Sequence, residues 1–444
     1  MPIRSPSIRA PRTPPAARFA VAARRAAGLA VAVAMLALSP AALAAALFDP
    51  AQPGASAAPS SAGREGVVRE RLVRLDGQVL AARLLPAGTA TAPDRAERSS
   101  RLPAAIELPL FPDAAVEARR TDVAPAFGGG VAWNGTVIGG RPTDFATLIV
   151  TPRAITGQVQ ANGRTYRIEP AAGGLHRILE IEQRRFEGDD TLVPPAAPEG
   201  APAAPPSRTE AKSTIDVLVA YTNRATAGAG GKAAILSDIN LAVSMANKAL
   251  KASAVAATFR LVGVMPVKYN DAVGQNAALT ALTDGTGPFK AVHARRAKAR
   301  ADLVSLITES GCGLAWVIDK PGPSTSAYGF STVARSCIPS HAFAHELGHN
   351  MGLFHDRFVE PAAPASAYHF GYVSLPAKAI TVMAYWNECD ANGLFCDRIP
   401  LYSSPKKKYK TFVMGIRRGQ AGAADAARRL NETRGAISRY RGAN

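Results

Sequence analysis

The sequence predicts an α/β unit in the C-terminal half of the chain, preceded by a smaller, mostly antiparallel β unit. Three observations carry that expectation. Between residues 67 and 182 short apolar segments are separated by turn pairs. Residues 189–212, DDTLVPPAAPEGAPAAPPSRTEAK, are rich in Pro and Ala and mostly lack bulky apolar groups, the mark of an extended, exposed linker. From residue 213 onward, apolar strands alternate with segments of helical spacing.

The elements follow in order. Arg24 and Arg25 precede an apolar run from Ala26 to Leu38, then Pro40 and the small-residue site Ala42-Leu43-Ala44. That order reads as a secretory signal over residues 1–44, and the apolar run is too short to span a bilayer. Residues 45–63 are rich in Ala, Pro and Ser and are expected to be disordered. Within the β-rich region, 45–188, Val67–Leu85 alternates loosely. Ala104–Leu110, Gly130–Ile138, Ala146–Thr151, Gly157–Val159, Tyr166–Glu169 and His176–Glu182 read as strands. Turns are expected at Asp76-Gly77, Asn134-Gly135, Gly139-Gly140 and Asn162-Gly163.

Past the linker, Thr214–Tyr221 is a near-continuous apolar run, as a buried parallel strand requires. Ile235, Ile239, Ala242, Met245, Ala246 and Ala249 recur at helical spacing. Thr258–Val264 is the next strand. A helix with Arg295, Arg296, Lys298 and Arg300 on its polar side leads to a third strand, Ala301–Ile307. Gly313–Ile318 and Tyr328–Val333 are two more, and a helix over Ala421–Tyr440 closes the chain.

The stretch Ala342–Asp356, AFAHELGHNMGLFHD, carries the chemistry. Side chains four apart share a helix face, so His345 and His349 can offer imidazole nitrogens to one ion. Gly352 is where a helix can end, because glycine accepts a positive φ, and a turn there brings His355 back to the same point. Three neutral imidazoles with one open position hold a catalytic zinc and its water. Glu346, next to His345, is placed to take a proton from that water.

The extended spacing His-Glu-x-x-His-x-x-Gly-x-x-His resembles the zinc signature of the metzincin metalloendopeptidases. Asn350, Met351 and Asp356 resemble its reprolysin-like branch, and Thr381-Val382-Met383-Ala384-Tyr385 fits the clan's methionine turn. The runs IDVLVAYT, CGLAW and LYSSP are similar to bacterial peptidyl-Asp metalloendopeptidases. The resemblance covers residues 213–444 and implies a two-subdomain catalytic domain: a mixed twisted sheet with helices above, and a lower part holding Met383 as the apolar floor of the metal site. It implies one zinc ion on His345, His349 and His355, Glu346 as the catalytic base, and protein or peptide substrates cut on the amino side of Asp. A basic group among Lys378, Arg398 and Lys406 would serve that preference. In astacin- and serralysin-like relatives a tyrosine stands two residues after the methionine, which gives Tyr385 a candidate role at the metal or the oxyanion. Asp356 would support the methionine turn. The clan pairs its substrate with a free sheet edge, and Ser326–Val333 is the candidate.

With a signal, a β-rich region, a linker and a protease in that order, the chain reads as a zymogen. Residues 45–188 are then a propeptide that aids folding and inhibits its own enzyme. It contains no cysteine to block a metal, so a carboxylate or His176 is the remaining candidate group. Cys312, Cys337, Cys389 and Cys396 suggest disulfides in an exported protein. Sequence order favours Cys312–Cys337 and Cys389–Cys396 among three possible pairings; a four-cysteine zinc site lacks the usual C-x-x-C pairs. The net charge of +18 invites a nucleic-acid reading, but many arginines lie in the first hundred residues and no nucleic-acid motif accompanies them. Two alternatives are a catalytically inactive secreted binding module and a zinc amidase acting on cell-wall peptides. The intact Glu346 argues against the first, and the methionine turn against the second.

Overall fold

The computed structural model describes residues 47–48, 66–76, 84–89, 91, 94–186, 212–361 and 366–442. The expected signal, the Ala/Pro/Ser-rich stretch, Gly77 and nearly all of the linker lie outside the described residues. Residues 44–444 form one compact unit.

Eight strands make the first sheet: β1 (Val67–Arg74), β2 (Ala105–Phe111), β3 (Ala114–Pro125), β4 (Val131–Val137), β5 (Phe145–Val150), β6 (Ile155–Ala161), β7 (Arg164–Pro170) and β8 (Leu175–Ile181). Their order is β1-β8-β7-β6-β5-β4-β3-β2, and every pairing is antiparallel. The meander is therefore local, with β1 the one long-range addition. Asn162 and Gly163 both take positive φ, 54° and 84°, in the tight turn between β6 and β7.

Two strand expectations need correction. Asn134-Gly135 is no turn but the middle of β4. A methyl on Gly135 would lie 2.6 Å from the Trp133 ring, so this glycine makes room for the buried indole. The twelve-residue β3 was not anticipated, because only Val116, Ala118 and Val123 among its small and charged residues turn inward.

Both faces of β5 and β6 are buried. On one face Trp133, Leu148, Val150, Ile155 and Ile168 form the sheet's own core. On the other, Phe145, Ile149, Leu179 and Ile181 join the core of the second half of the chain.

The second sheet contains β9 (Ser213–Thr222), β10 (Ala257–Val267), β11 (Leu303–Thr308), β12 (Gly313–Ala315) and β13 (Phe330–Ala334). The order is β10-β9-β11-β13-β12, parallel except for β12. The helix Lys232–Ala252 buries Ile235, Ile239, Ala242, Met245, Ala246 and Ala249 against it, as their spacing requires. This is the mixed α/β arrangement expected. The edges of this sheet, however, are β10 and β12 and not Ser326–Val333, because β13 has β11 on one side and β12 on the other.

Arg296 also departs from expectation. Its guanidinium is buried over the Phe330 ring and donates to the carbonyls of Ala301, Asp302 and Ser326, where a solvated face had been expected. The last helix begins later than expected, at Ala426, and runs to Ile437. Both favoured disulfides, Cys312–Cys337 and Cys389–Cys396, are formed.

Candidate metal centre

The helix Ala342–Asn350 is buried along its length and anchored at both ends. The hydroxyl of Tyr402 donates to Ala344 O at 2.8 Å. The amide of Asn350 donates to Trp316 O and Phe330 O at 3.0 and 3.1 Å, tying the helix end to the second sheet. The helix stops at Asn350, and Gly352 at φ 93° reverses the chain. His355 thereby returns to the helix face that carries His345 and His349.

The three imidazoles converge. His349 Nε2 lies 3.1 Å from His345 Nε2 and 3.0 Å from His355 Nε2. Each Nδ1 faces an acceptor that has no proton to give: Val382 O at 2.9 Å from His345, Leu353 O at 2.8 Å from His349, and a Glu360 carboxylate oxygen at 3.0 Å from His355. Each Nδ1–H must donate outward, which in a neutral ring turns the Nε2 lone pair toward the other two rings. Lone pairs at that separation repel unless a cation lies between them. Burial, the neighbouring imidazoles and, for His345, the Arg398 guanidinium push His345 and His349 well below the ordinary histidine pKa, which keeps them neutral as metal binding needs. Among the described residues this is the one cluster of three such groups that could hold a metal.

Glu346 is buried beside the cluster, and β12 passes directly over it. A methyl on Gly313 would lie 2.4 Å from Glu346 Oε1, so only glycine lets the edge strand come this close. Met383 is fully buried below. A methyl on Gly348 would lie 2.7 Å from its sulfur, which places the thioether against the helix between His345 and His349.

Tyr385 holds its hydroxyl 3.0 Å from His355 Nε2, with its ring 4.5 Å from the His355 ring. Asp356 fixes that arrangement, accepting the Tyr385 N–H at 2.8 Å and those of Phe358 and Val359 at 3.0 and 3.4 Å. Burial raises the Asp356 pKa, and these N–H bonds oppose the rise.

Two residues at the site were not singled out from sequence. Gly313 is one. Glu360 is the other: the same oxygen that accepts from His355 Nδ1 also accepts the His355 backbone N–H, at 2.9 Å. An acidic residue five positions after a ligand histidine is the signal that could have found it. Of the three basic candidates, Lys378 and Lys406 are exposed and only Arg398 is buried near His345. His176 lies inside the first sheet and accepts the Ile155 N–H at 3.0 Å, far in role from a metal block. His293 stacks on Phe330, and His369 faces Asp319.

The model of the reprolysin-like metallopeptidase family M12B matches residues 211–400, which contain the whole cluster. A peptidyl-Asp metalloendopeptidase of Stenotrophomonas maltophilia is 31% identical over 315 residues, 68% of this chain and 71% of the relative. The chain belongs to the reprolysin-like metallopeptidases. A second peptidyl-Asp metalloendopeptidase, from Xanthomonas campestris, is 29% identical to this metallopeptidase over 69% of the chain and 72% of its own length. The crystal structure of metalloproteinase-II from Bacteroides fragilis aligns with 67% of this chain and 86% of that one at 13% identity. Its TM-score of 0.40 is too low to carry an argument.

This reprolysin-like metallopeptidase is therefore an enzyme that hydrolyses peptide bonds in proteins or peptides, and its family implies a metal. The three converging Nε2 atoms, each on a ring whose Nδ1 faces an outward acceptor, fit that requirement. No helix among the described residues is long and apolar enough to cross a membrane.

Proposed function

We propose that the chain is an exported zinc endopeptidase that cuts on the amino side of Asp. The observation that carries the reading is the trio of imidazoles on His345, His349 and His355 whose Nε2 atoms converge, with Glu346 buried alongside. The all-nitrogen donor set and single open position suit zinc, which when bound acidifies a water and polarises the scissile carbonyl. Glu346 accepts the proton of the attacking water and delivers it to the leaving amine. The hydroxyl of Tyr385, a residue whose backbone N–H is held by Asp356, donates a hydrogen bond to the oxyanion that develops on the former carbonyl. The substrate strand adds to β12, whose edge runs over Glu346 and so aligns the scissile bond with the base.

Residues 1–44 serve as the export signal, 45–188 as a propeptide, 189–212 as the processing linker and 213–444 as the catalytic domain. Supporting a pro-role, the first sheet and the short turn after β8 grip the segments around the metal helix. Gln158 and Gln183 both donate to Pro339 O at 2.9 Å, and Gln160 donates to Arg398 O at 2.8 Å. Its described contacts restrain the walls of the site and do not reach the three imidazoles. The preference for Asp rests on the names of the relatives and on a buried cation beside the site.

Casein cleavage, assayed with and without a chelator, tests the metal, and mass-spectrometric mapping of the cut sites tests the preference. Chelation abolishes activity and added zinc restores it. Glu346→Gln lowers kcat by about two to four orders of magnitude while the protein still binds one zinc, since a general base of this kind contributes about 10²–10⁴-fold. Activity that survives both treatments would sink the reading.

A further inference from the structure

Arg398 occupies an unusual place. Its guanidinium bridges the start of the metal helix and the turn that carries Met383, donating to Ser340 O at 3.1 Å and Ala384 O at 2.7 Å. The Trp386 ring lies 3.9 Å from its central carbon. The side chain is only 4% exposed, and its charge is felt at both His345 and His341. Such a group is held flat and in register, unlike a lysine, which would be a mobile point charge.

Beside it stands His341, one helical turn before His345 and bonded to it through the backbone at 3.0 Å. His341 is 1% exposed, and neither ring nitrogen has a hydrogen-bond partner among the described residues. A buried imidazole without a partner is costly and calls for an explanation such as a ligand. A carboxylate entering here would meet a fixed guanidinium and accept the imidazole N–H. His341 lies one turn before His345, and Arg398 reaches the same end of the metal helix through Ser340 O.

We infer that Arg398 is the specificity-determining residue, gripping the substrate's aspartate carboxylate in the pocket after the cut, with His341 as its hydrogen-bonding neighbour. This rests on the endopeptidase reading above. An Asn side chain has the same shape without the charge, so discrimination between the two isolates the role. The competing role is a cross-brace between helix and turn, which would affect all substrates alike.

The test uses enzyme matured from the full chain and two quenched peptides that differ only in Asp or Asn after the scissile bond. The wild type favours the Asp peptide. In Arg398→Gln the ratio of the two kcat/KM values falls on the order of 100-fold, as loss of a charge-assisted pair in a desolvated site implies. Arg398→Lys, which keeps the charge without the fork, lowers the ratio by about tenfold and carries the test if the Gln variant does not fold. A ratio unchanged in either folded variant overturns the assignment and leaves the Asp preference standing. A wild type that cuts both peptides equally removes the preference itself, and the role of Arg398 with it.

Discussion

At the scale of single residues, the site shows how the second layer of contacts decides what the first can do. Three histidines at the right spacing do not make a metal site unless each ring is turned and its proton sent outward. Two of the three are set by backbone carbonyls, Val382 O and Leu353 O, which no side-chain substitution removes. The third depends on Glu360, which fixes both the ring and the backbone of His355. A carboxylate behind a ligand histidine also raises the basicity of the metal-facing nitrogen, and its loss typically costs about 10–100-fold in metal affinity. Glu360→Ala should therefore weaken zinc binding by that order, measured by titration against a competing chelator. Glu360→Gln should lose less, because its amide oxygen still accepts both hydrogens. Wild-type affinity in Glu360→Ala would show that the loop holds His355 without it.

At the scale of elements, the edge strand and the metal helix work as one part. β12 is only three residues long, yet Gly313 puts its backbone against Glu346, and the neighbouring Cys312 is bonded to Cys337 in the turn that leads into the helix. Gly313 does not need a left-handed conformation, so an alanine there strains nothing but the contact with Glu346. Gly313→Ala should lower kcat/KM by about 100-fold through displacement of the base by about an ångström, with zinc stoichiometry unchanged. Full activity in that variant would mean that Glu346 has slack to move. These relations explain what the sequence could and could not reveal. The helix and the shared face of His345 and His349 were legible because local spacing alone sets which side chains share a face. The parallel strands of the second sheet were legible because burial on both faces leaves nearly unbroken apolar runs, as in Thr214–Tyr221. The edge position was not, since β12 and β13 read alike as short apolar segments and only long-range pairing distinguishes them. β3 escaped notice because its inward set is two valines and an alanine among charges. Arg296 misled because an arginine that spends its donors on three carbonyls looks, in sequence, like any solvated one.

At the scale of the whole molecule, the two sheets share a core and an electrostatic clamp. Arg167 of β7 meets Asp238 of the long helix with both side chains buried, and Arg335 stands 3.8 Å from the same carboxylate while pairing with Glu309 at 3.0 Å. Arg141 adds a pair with Asp397 at 2.6 Å on the far side. Removing one partner of a buried pair leaves a stranded charge, so these contacts specify how the sheet docks more than they add net stability. Acid acts on this assembly through a different group. His176 is buried in the first sheet, where its Nε2 accepts the Ile155 N–H, and burial pushes its pKa down to about 4. The unfolded chain restores it to about 6.5. The folded state thus binds fewer protons between those values, and the stability His176 contributes is complete above the upper one and drains away as pH falls toward the lower. The contribution is on the order of 3 kcal/mol, from a shift of two to three units. Urea unfolding of the chelated protein, followed from pH 7.5 down to 4, should show the midpoint falling across that window. In His176→Gln, which keeps an acceptor for Ile155 but cannot titrate, the fall should be shallower. Parallel curves at all pH values would mean that His176 takes up its proton at the same pH in the folded and unfolded chain, and that burial in the sheet does not hold it neutral.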